Sequence, residues 1–199
     1  MTFWDLCAPL YDFAQRMNGI AYMGMVRSIA NDIKPGDSVM ECAAGTGLIS
    51  IACAKVASTV LCTDMSENML AIAKRHANRE GLTDIEFANC DILNIDQADG
   101  AWDVVIASQV LHLLDDPKRA ADELKRVAKR QVITTVALTG QLGRAAKLKV
   151  SLWKLLGFKP KHEFKAEGYR QFLCDIGLEP AEFRIIMGQM PMAISVHKK

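Results

Sequence analysis

Apolar residues in this chain fall into short blocks that each close on a polar residue, and successive blocks leave room for a helix between them. Val39-Met40-Glu41-Cys42, Val60-Leu61-Cys62-Thr63-Asp64, Ile85-Glu86-Phe87-Ala88-Asn89 and Trp102-Asp103-Val104-Val105-Ile106-Ala107 read as strands near 38–43, 59–63, 84–89 and 102–107, with a fifth near 131–136. Helical spacing predicts helices near 47–56, 67–80 and 117–129. Ser66 suits the N-cap of the second, and Asp116-Pro117 suits the start of the third, with Glu123, Lys125 and Arg126 on its solvent side. Strands and helices alternating at this interval imply right-handed crossovers and a mostly parallel sheet, an α/β fold.

The ends of the chain are patterned differently. From Leu6 to Asp32 apolar residues recur at helical spacing, interrupted near Gly19 and Gly24, which predicts one broken helix or two short ones before the sheet. Lys34-Pro35-Gly36-Asp37 is the turn into the first strand. A helix near 164–176 leads to two last strands near 180–187 and 190–197, with Gly188 at their turn. Between 142 and 165, Arg144, Lys147, Lys149, Lys154, Lys159, Lys161 and Lys165 face one acid, Glu163, among Leu148, Leu152, Trp153, Leu155 and Phe158. This basic amphipathic stretch is open to three uses: a helix packed on the domain, a lid or substrate wall, or contact with an anionic membrane surface.

Composition narrows the class. The 199 residues suit one domain with a sizeable core, and 24 basic against 23 acidic side chains leave a net charge of +1. A polyanionic partner such as nucleic acid calls for a broader positive surface, so none is expected. Six cysteines carry no C-x-x-C pair and most sit in apolar patterns, which argues for reduced core thiols and against a metal site or a disulfide framework. No apolar run approaches the roughly 18 residues of a membrane span, and the first residues lack a signal pattern, so a soluble, cytoplasmic protein is expected.

The chemistry concentrates at the strand ends. Glu41-Cys42-Ala43-Ala44-Gly45-Thr46-Gly47 puts a carboxylate and a glycine-rich turn at the carboxyl edge of a buried strand, where open α/β sheets bind nucleotides. Gly45 and Gly47 can take positive φ and let the backbone approach a ligand. A nicotinamide fingerprint needs a further glycine where this chain has Ser50. The second strand ends on Asp64, whose carboxylate can accept both hydroxyls of a ribose diol, and the third leads to Asp91.

Acid, three residues, Gly, one residue, Gly, followed by acid-ended strands, resembles the class I S-adenosylmethionine (SAM) methyltransferases over about residues 9 to 137. Tyr11-Asp12 together with the glycine loop is most similar to the quinone-biosynthesis C-methyltransferases and the small bacterial phospholipid N-methyltransferases. The resemblance implies a Rossmann-like, seven-stranded sheet with helices on both faces, an N-terminal helical cap over 1–33, and a basic insertion over 138–165 within a single domain. It also implies SAM as cofactor. The loop through Ala43, Gly45 and Gly47 would wrap the methionine end, and Glu41 would face the cationic part or order a water beside it. Asp64 and Met65 would meet the ribose side, Asp91 the adenine amino group and the Ile92 amide the ring edge. The commonest form of the motif has glycine at Ala43, and quinone-type enzymes tolerate alanine there.

Transfer from a sulfonium needs alignment more than covalent chemistry. His112, just past the fourth strand, is the candidate base, against the alternative that it packs or caps the next loop. Tyr11 is either a hydrogen-bond partner of the cofactor's carboxylate and of the reacting site or a core aromatic. Ser108 and Gln109 share the strand mouth and are placed for the cofactor or the acceptor. The acceptor implied is small, apolar or lipid-like. Two other classes compete: a SAM-binding protein without turnover, and a nicotinamide oxidoreductase, for which a Tyr-x-x-x-Lys pair is missing. The Asn-Pro-Pro-aromatic motif of amino-directed nucleic-acid methyltransferases is also missing, since the fourth strand ends Ala107-Ser108-Gln109-Val110.

Overall fold

The computed structural model describes residues 19–142 and 160–199. Tyr11, the first half of the expected N-terminal cap and the basic residues from Arg144 to Lys159 lie outside the described residues. The elements run α1 (Gly19–Ala30), β1 (Ser38–Cys42), α2 (Leu48–Cys53), β2 (Thr59–Asp64), α3 (Glu67–Arg79), β3 (Ile85–Asn89), β4 (Trp102–Ser108), α4 (Pro117–Val127), β5 (Ala128–Ala137), α5 (Ala166–Asp175), β6 (Glu182–Ile186) and β7 (Met192–Lys198).

The strands form one seven-stranded sheet in the order β3-β2-β1-β4-β5-β7-β6. Pairing is parallel from β3 across to β5, and β7 runs antiparallel to both β5 and β6. This is the mostly parallel sheet the sequence predicts. The chain builds β1, β2 and β3 outward on one side, then crosses back to place β4 against β1. The loops after β1 and β4 therefore part at a topological switch point, where open sheets bind ligands.

Val39, Met40, Val104, Val105 and Ile106 are fully buried because both sheet faces are covered. On one face Met40, Leu61, Val105 and Val132 pack against Ala120, Leu124 and Val127 of α4 and Leu173 of α5. On the other, Val39, Val60, Val104 and Ile133 pack against Met25, Val26 and Ile29 of α1 and Leu70, Ala73 and Ala77 of α3. Among the described residues no helix is long and apolar enough to cross a membrane.

The start signals act as expected: Ser66 Oγ accepts the Met69 N–H, and the Asp116 carboxylate accepts the Arg119 N–H behind Pro117. Three details differ. Gly24 lies inside α1 instead of breaking it, because a Cβ there would meet Ile186 of β6 at 2.8 Å; the glycine permits close packing. Helix α4 stops at Val127 and β5 begins at Ala128 with no loop between, two residues before the expected helix end. Arg126 and Glu123 also do more than face solvent. The guanidinium donates to the Gln97 and Ile95 carbonyls, and Glu123 accepts the Ile95 N–H, so α4 pins the chain that leads into β4.

Candidate functional site

Parallel register brings the carboxyl ends of four strands level: Cys42 lies opposite Ala107, Glu41 opposite Cys62, and Asp64 opposite Asn89. The loop leaving β1 takes left-handed backbone at Ala43 (φ 53°), Gly45 (φ 57°) and Gly47 (φ 77°). A Cβ on Gly47 would lie 2.8 Å from the Ala73 Cβ, so glycine is needed there for conformation and for packing on α3. The loop is held by its amides: Ala44 N–H donates to the Thr63 carbonyl, and Gly45 N–H donates to Asp64 Oδ2 at 2.8 Å.

Asp64 therefore has two neighbours on its own chain, since its other oxygen accepts the Ser66 N–H at 2.8 Å. The carboxylate ties the glycine loop to the start of α3 and lines the cavity. Glu41 is placed differently. It is 1% exposed, behind the loop, and its Oε2 accepts the Ser50 N–H at 2.8 Å and the Ser50 hydroxyl at 2.5 Å. Burial pushes its carboxyl up to about 7, against the two Ser50 bonds, which favour the ionised form.

A cavity of about 200 Å³ opens between these loops. Six of the residues expected at a cofactor line it: Ala43, Gly45, Asp64, Met65, Ile92 and Ser108. Gly47 shapes the loop from below. Asp91 sits between the lining residues Cys90 and Ile92 but is exposed in its own turn, where its Oδ1 accepts the Leu93 N–H. Of the three carboxylates, only Asp64 lines the cavity.

His112 is 7% exposed, in a short turn after β4, and its Nδ1 has no hydrogen-bond partner among the described residues. Burial, helped by the charge of His162, lowers its pKa to about 4, so the ring is neutral at neutral pH. Its backbone carbonyl accepts the N–H groups of Lys161 and His162. Ser108 Oγ shares a 2.8 Å hydrogen bond with Thr135 Oγ1 while it lines the cavity. Gln109, at φ 56°, spends its amide on β5: Oε1 accepts the Ala137 N–H and Nε2 donates to Thr135.

Sequence reasoning missed Met69, Cys90, Val110, Leu113 and Leu114 as lining residues. Leu113 and Leu114 carried a signal, an apolar run after β4 that fits neither helical nor strand period. His76 of α3 is half-buried, with Nδ1 3.1 Å from the Thr46 carbonyl of the glycine loop. Apolar walls from Met65, Met69, Ile92 and Leu113, beside one carboxylate and a tight backbone turn, suit a ligand with a flat base and a diol. Among the described residues no group of three or more His, Cys, Asp or Glu side chains is placed to hold a metal ion. Ser50 fills the position of the third glycine of a dinucleotide turn and grips Glu41 instead.

Residues 40–135 match the model of a methyltransferase domain. The chain is 34% identical over 134 residues to a demethylmenaquinone methyltransferase of Paenarthrobacter aurescens, covering 64% of this chain and 50% of that protein. It is 37% identical over 98 residues to a ubiquinone/menaquinone biosynthesis C-methyltransferase of Bdellovibrio bacteriovorus, covering 48% and 41%. The chain thus spans about half, or less, of the length of these curated relatives. Its fold is similar to that of a magnesium protoporphyrin IX methyltransferase of Synechocystis PCC 6803 with bound SAH, at 20% identity and a TM-score of 0.72, covering 94% of this chain and 87% of that one. Residues 40–135 are thus similar to a methyltransferase domain, and the chain has the fold of this SAH-bound methyltransferase.

Proposed function

We propose that the protein is a SAM-dependent methyltransferase acting on a small, apolar or lipid-like acceptor. The observation that carries this is the meeting of the left-handed loop Ala43–Gly47, the Asp64 carboxylate and an apolar-walled cavity at the carboxyl ends of β1, β2 and β4.

When bound, SAM would supply a methyl group on a sulfonium, whose neutral thioether is a ready leaving group that keeps the carbon–sulfur bonding pair. The chain's own residues bind and orient. Asp64, at the cavity wall, accepts from the ribose hydroxyls. Met65 and Ile92 flank the base, with Asp91 and the Ile92 amide at its edge. Ala43 and Gly45 bring backbone close to the methionine end. His112, neutral and only weakly basic, accepts a hydrogen bond from the acceptor's nucleophilic group and so aligns it. Tyr11 is assigned to the methionine carboxylate on the resemblance alone.

A lipid-like acceptor is supported by the quinone-directed names of the relatives and by the seven cations against one acid between 142 and 165. The flanks of that stretch meet beside His112, through Gly140 N–H to the Phe164 carbonyl and Lys161 N–H to the His112 carbonyl. In this proposal the basic stretch rests on an anionic lipid surface and brings the cavity to an acceptor held there.

Titration calorimetry with SAM tests the cofactor. Binding that Asp64→Asn weakens by about tenfold or more is expected, since an amide both loses charge and offers a donor toward a diol. No binding, or binding indifferent to this change, overturns the proposal. Methylated product from purified protein and an acceptor panel separates an enzyme from a SAM-binding protein without turnover.

A further inference from the structure

Past the last paired residues of β4 and β5, Ser108 opposite Thr135, the two strands stay joined through side chains. Gln109 stands at φ 56°, a left-handed backbone that a non-glycine residue keeps only where its surroundings hold it. Three bonds to β5 do so. Its N–H donates to the Thr135 carbonyl at 3.1 Å, its Oε1 accepts the Ala137 N–H at 2.9 Å, and its Nε2 donates to Thr135 Oγ1 at 3.0 Å. Thr135 Oγ1 also lies 2.8 Å from Ser108 Oγ, and among the described residues it has these two partners alone.

These contacts fix the direction in which the protons run. A backbone N–H only donates, so the amide oxygen of Gln109 is the end at Ala137 and the amide nitrogen is the end at Thr135. That nitrogen also only donates, so Thr135 Oγ1 receives the bond. Thr135 is 2% exposed, and of its two partners only Ser108 Oγ can accept its hydroxyl proton. Ser108 therefore receives a proton from Thr135 and keeps its own. It lines the cavity and has no second partner among the described residues.

The sheet order β2-β1-β4-β5 sets Ser108 two strands away from Asp64, on the side of the cavity where Val110, Leu113 and Leu114 supply apolar wall. A hydroxyl proton among apolar groups selects by whether it finds a partner, because an unpaired donor there is costly. We propose that Gln109 and Thr135 hold Ser108 as a hydrogen-bond donor to the methyl acceptor, so that the site selects an acceptor carrying an oxygen lone pair, a carbonyl or a phenolate, over an ammonium or a bare hydrocarbon. Ser108 touches the acceptor, and Gln109 and Thr135 are positioning residues that act through it. The inference rests on the SAM reading above for what the cavity holds, and on the contacts alone for the direction of the protons.

Neutron diffraction from crystals of the unaltered protein in heavy water reads the proton chain with no ligand present. The deuteron between Thr135 and Ser108 should be bonded to Thr135 Oγ1, and finding it on Ser108 Oγ overturns the proposal. Ligand-observed NMR on protein saturated with S-adenosylhomocysteine (SAH) then compares acetophenone with ethylbenzene, a near-isostere that lacks the oxygen. Ser108→Ala should lower the ratio of ketone to hydrocarbon affinity about three- to tenfold, the effect of one hydrogen bond. Gln109→Glu keeps an acceptor for the Ala137 N–H but changes the other end from donor to acceptor. Thr135 then donates to Glu, Ser108 donates to Thr135, and the ratio should fall by a like factor. Thr135→Ser keeps the hydroxyl and should keep the ratio. Residues that served folding alone would leave the ratio unchanged in all three variants, and that result overturns the proposal. So does a ketone that does not bind, or a Ser108→Ala loss confined to SAH itself. SAH failing to bind overturns the SAM reading and the acceptor assignment with it, while the neutron result still decides the direction of the protons.

Discussion

Ser50 donates two hydrogen bonds to one oxygen of Glu41, from its backbone N–H at 2.8 Å and its hydroxyl at 2.5 Å. Ser50 stands at the third position of α2, whose N-cap, Gly47, has no side chain to offer. The orphan amide that a capping Ser or Asp would satisfy is therefore satisfied by a strand residue nine positions earlier. The glycine loop keeps its tight turn and the helix keeps a cap.

Removing the hydroxyl leaves the amide bond but strips a buried carboxyl of a partner. Ser50→Ala should cost about 1 to 3 kcal/mol, the usual range for a buried group left unsatisfied. For a domain of this size that is a fall in Tm of several degrees by calorimetry, and an unchanged Tm would show that the bond contributes nothing.

Glu41 and His112 give the protein opposite pH dependences. The folded-state carboxyl of Glu41 is raised to about 7, so the stability tied to it is present below its unfolded value and lost as pH rises through 7. The folded-state imidazole of His112 is lowered to about 4, so its share is present above its unfolded value and lost as pH falls toward 4. Each shift corresponds to about 3 kcal/mol over its window. In urea unfolding series, Glu41→Gln should remove the loss between about pH 5 and 7, and His112→Gln the loss between about pH 6.5 and 4. A variant whose pH curve parallels the unaltered protein's would refute the assignment for that residue.

Ala43 and Gly47 sit in the same loop in the same left-handed region, yet changing them should have opposite effects. Ala43→Gly relieves a strained alanine, a gain partly offset by the greater freedom of glycine in the unfolded chain, so stability should rise slightly, by about 1 kcal/mol at most. Gly47→Ala meets both the backbone penalty and the Ala73 Cβ at 2.8 Å, and should cost about 2 to 4 kcal/mol. Denaturant midpoints measure both, and a Gly47→Ala midpoint equal to the unaltered one would mean that the loop is not held against α3 as described.

What the sequence made legible follows from how locally each feature is encoded. Strands β1, β2 and β4, buried on both faces, announce themselves as continuous apolar runs, and the acids that end β1 and β2 mark the ligand edge of the sheet. The caps at Ser66 and Asp116 are three-residue patterns. The α4–β5 junction was not legible, because Val127 and Ala128 change from helix to strand without a turn residue between them. Nor was the partner of Glu41, since a carboxylate aimed at a ligand and one turned onto Ser50 look the same in a string of letters. Leu113 and Leu114 gain their meaning only when the turn after β4 brings them to the cavity wall that Met65 and Met69 also line.

Cys90 offers a test of the cavity that needs neither turnover nor an acceptor. Its thiol is half-buried and lines the cavity, and its Sγ lies 3.6 Å from the Asp91 carbonyl. Cys42, Cys53 and Cys62 are buried, while Cys174 is exposed on α5, away from the cavity lining. Burial raises the Cys90 thiol, so maleimide should label it more slowly than Cys174. A ligand that fills the cavity should slow it further, by about tenfold when present at ten times its Kd, since only the open fraction reacts. Cys174, untouched by the ligand, serves as the internal control in the same mass spectrum. Equal protection of both thiols by SAM would point to a global change in the protein, and no protection of Cys90 would place the cofactor outside the cavity bounded by Asp64 and Ile92.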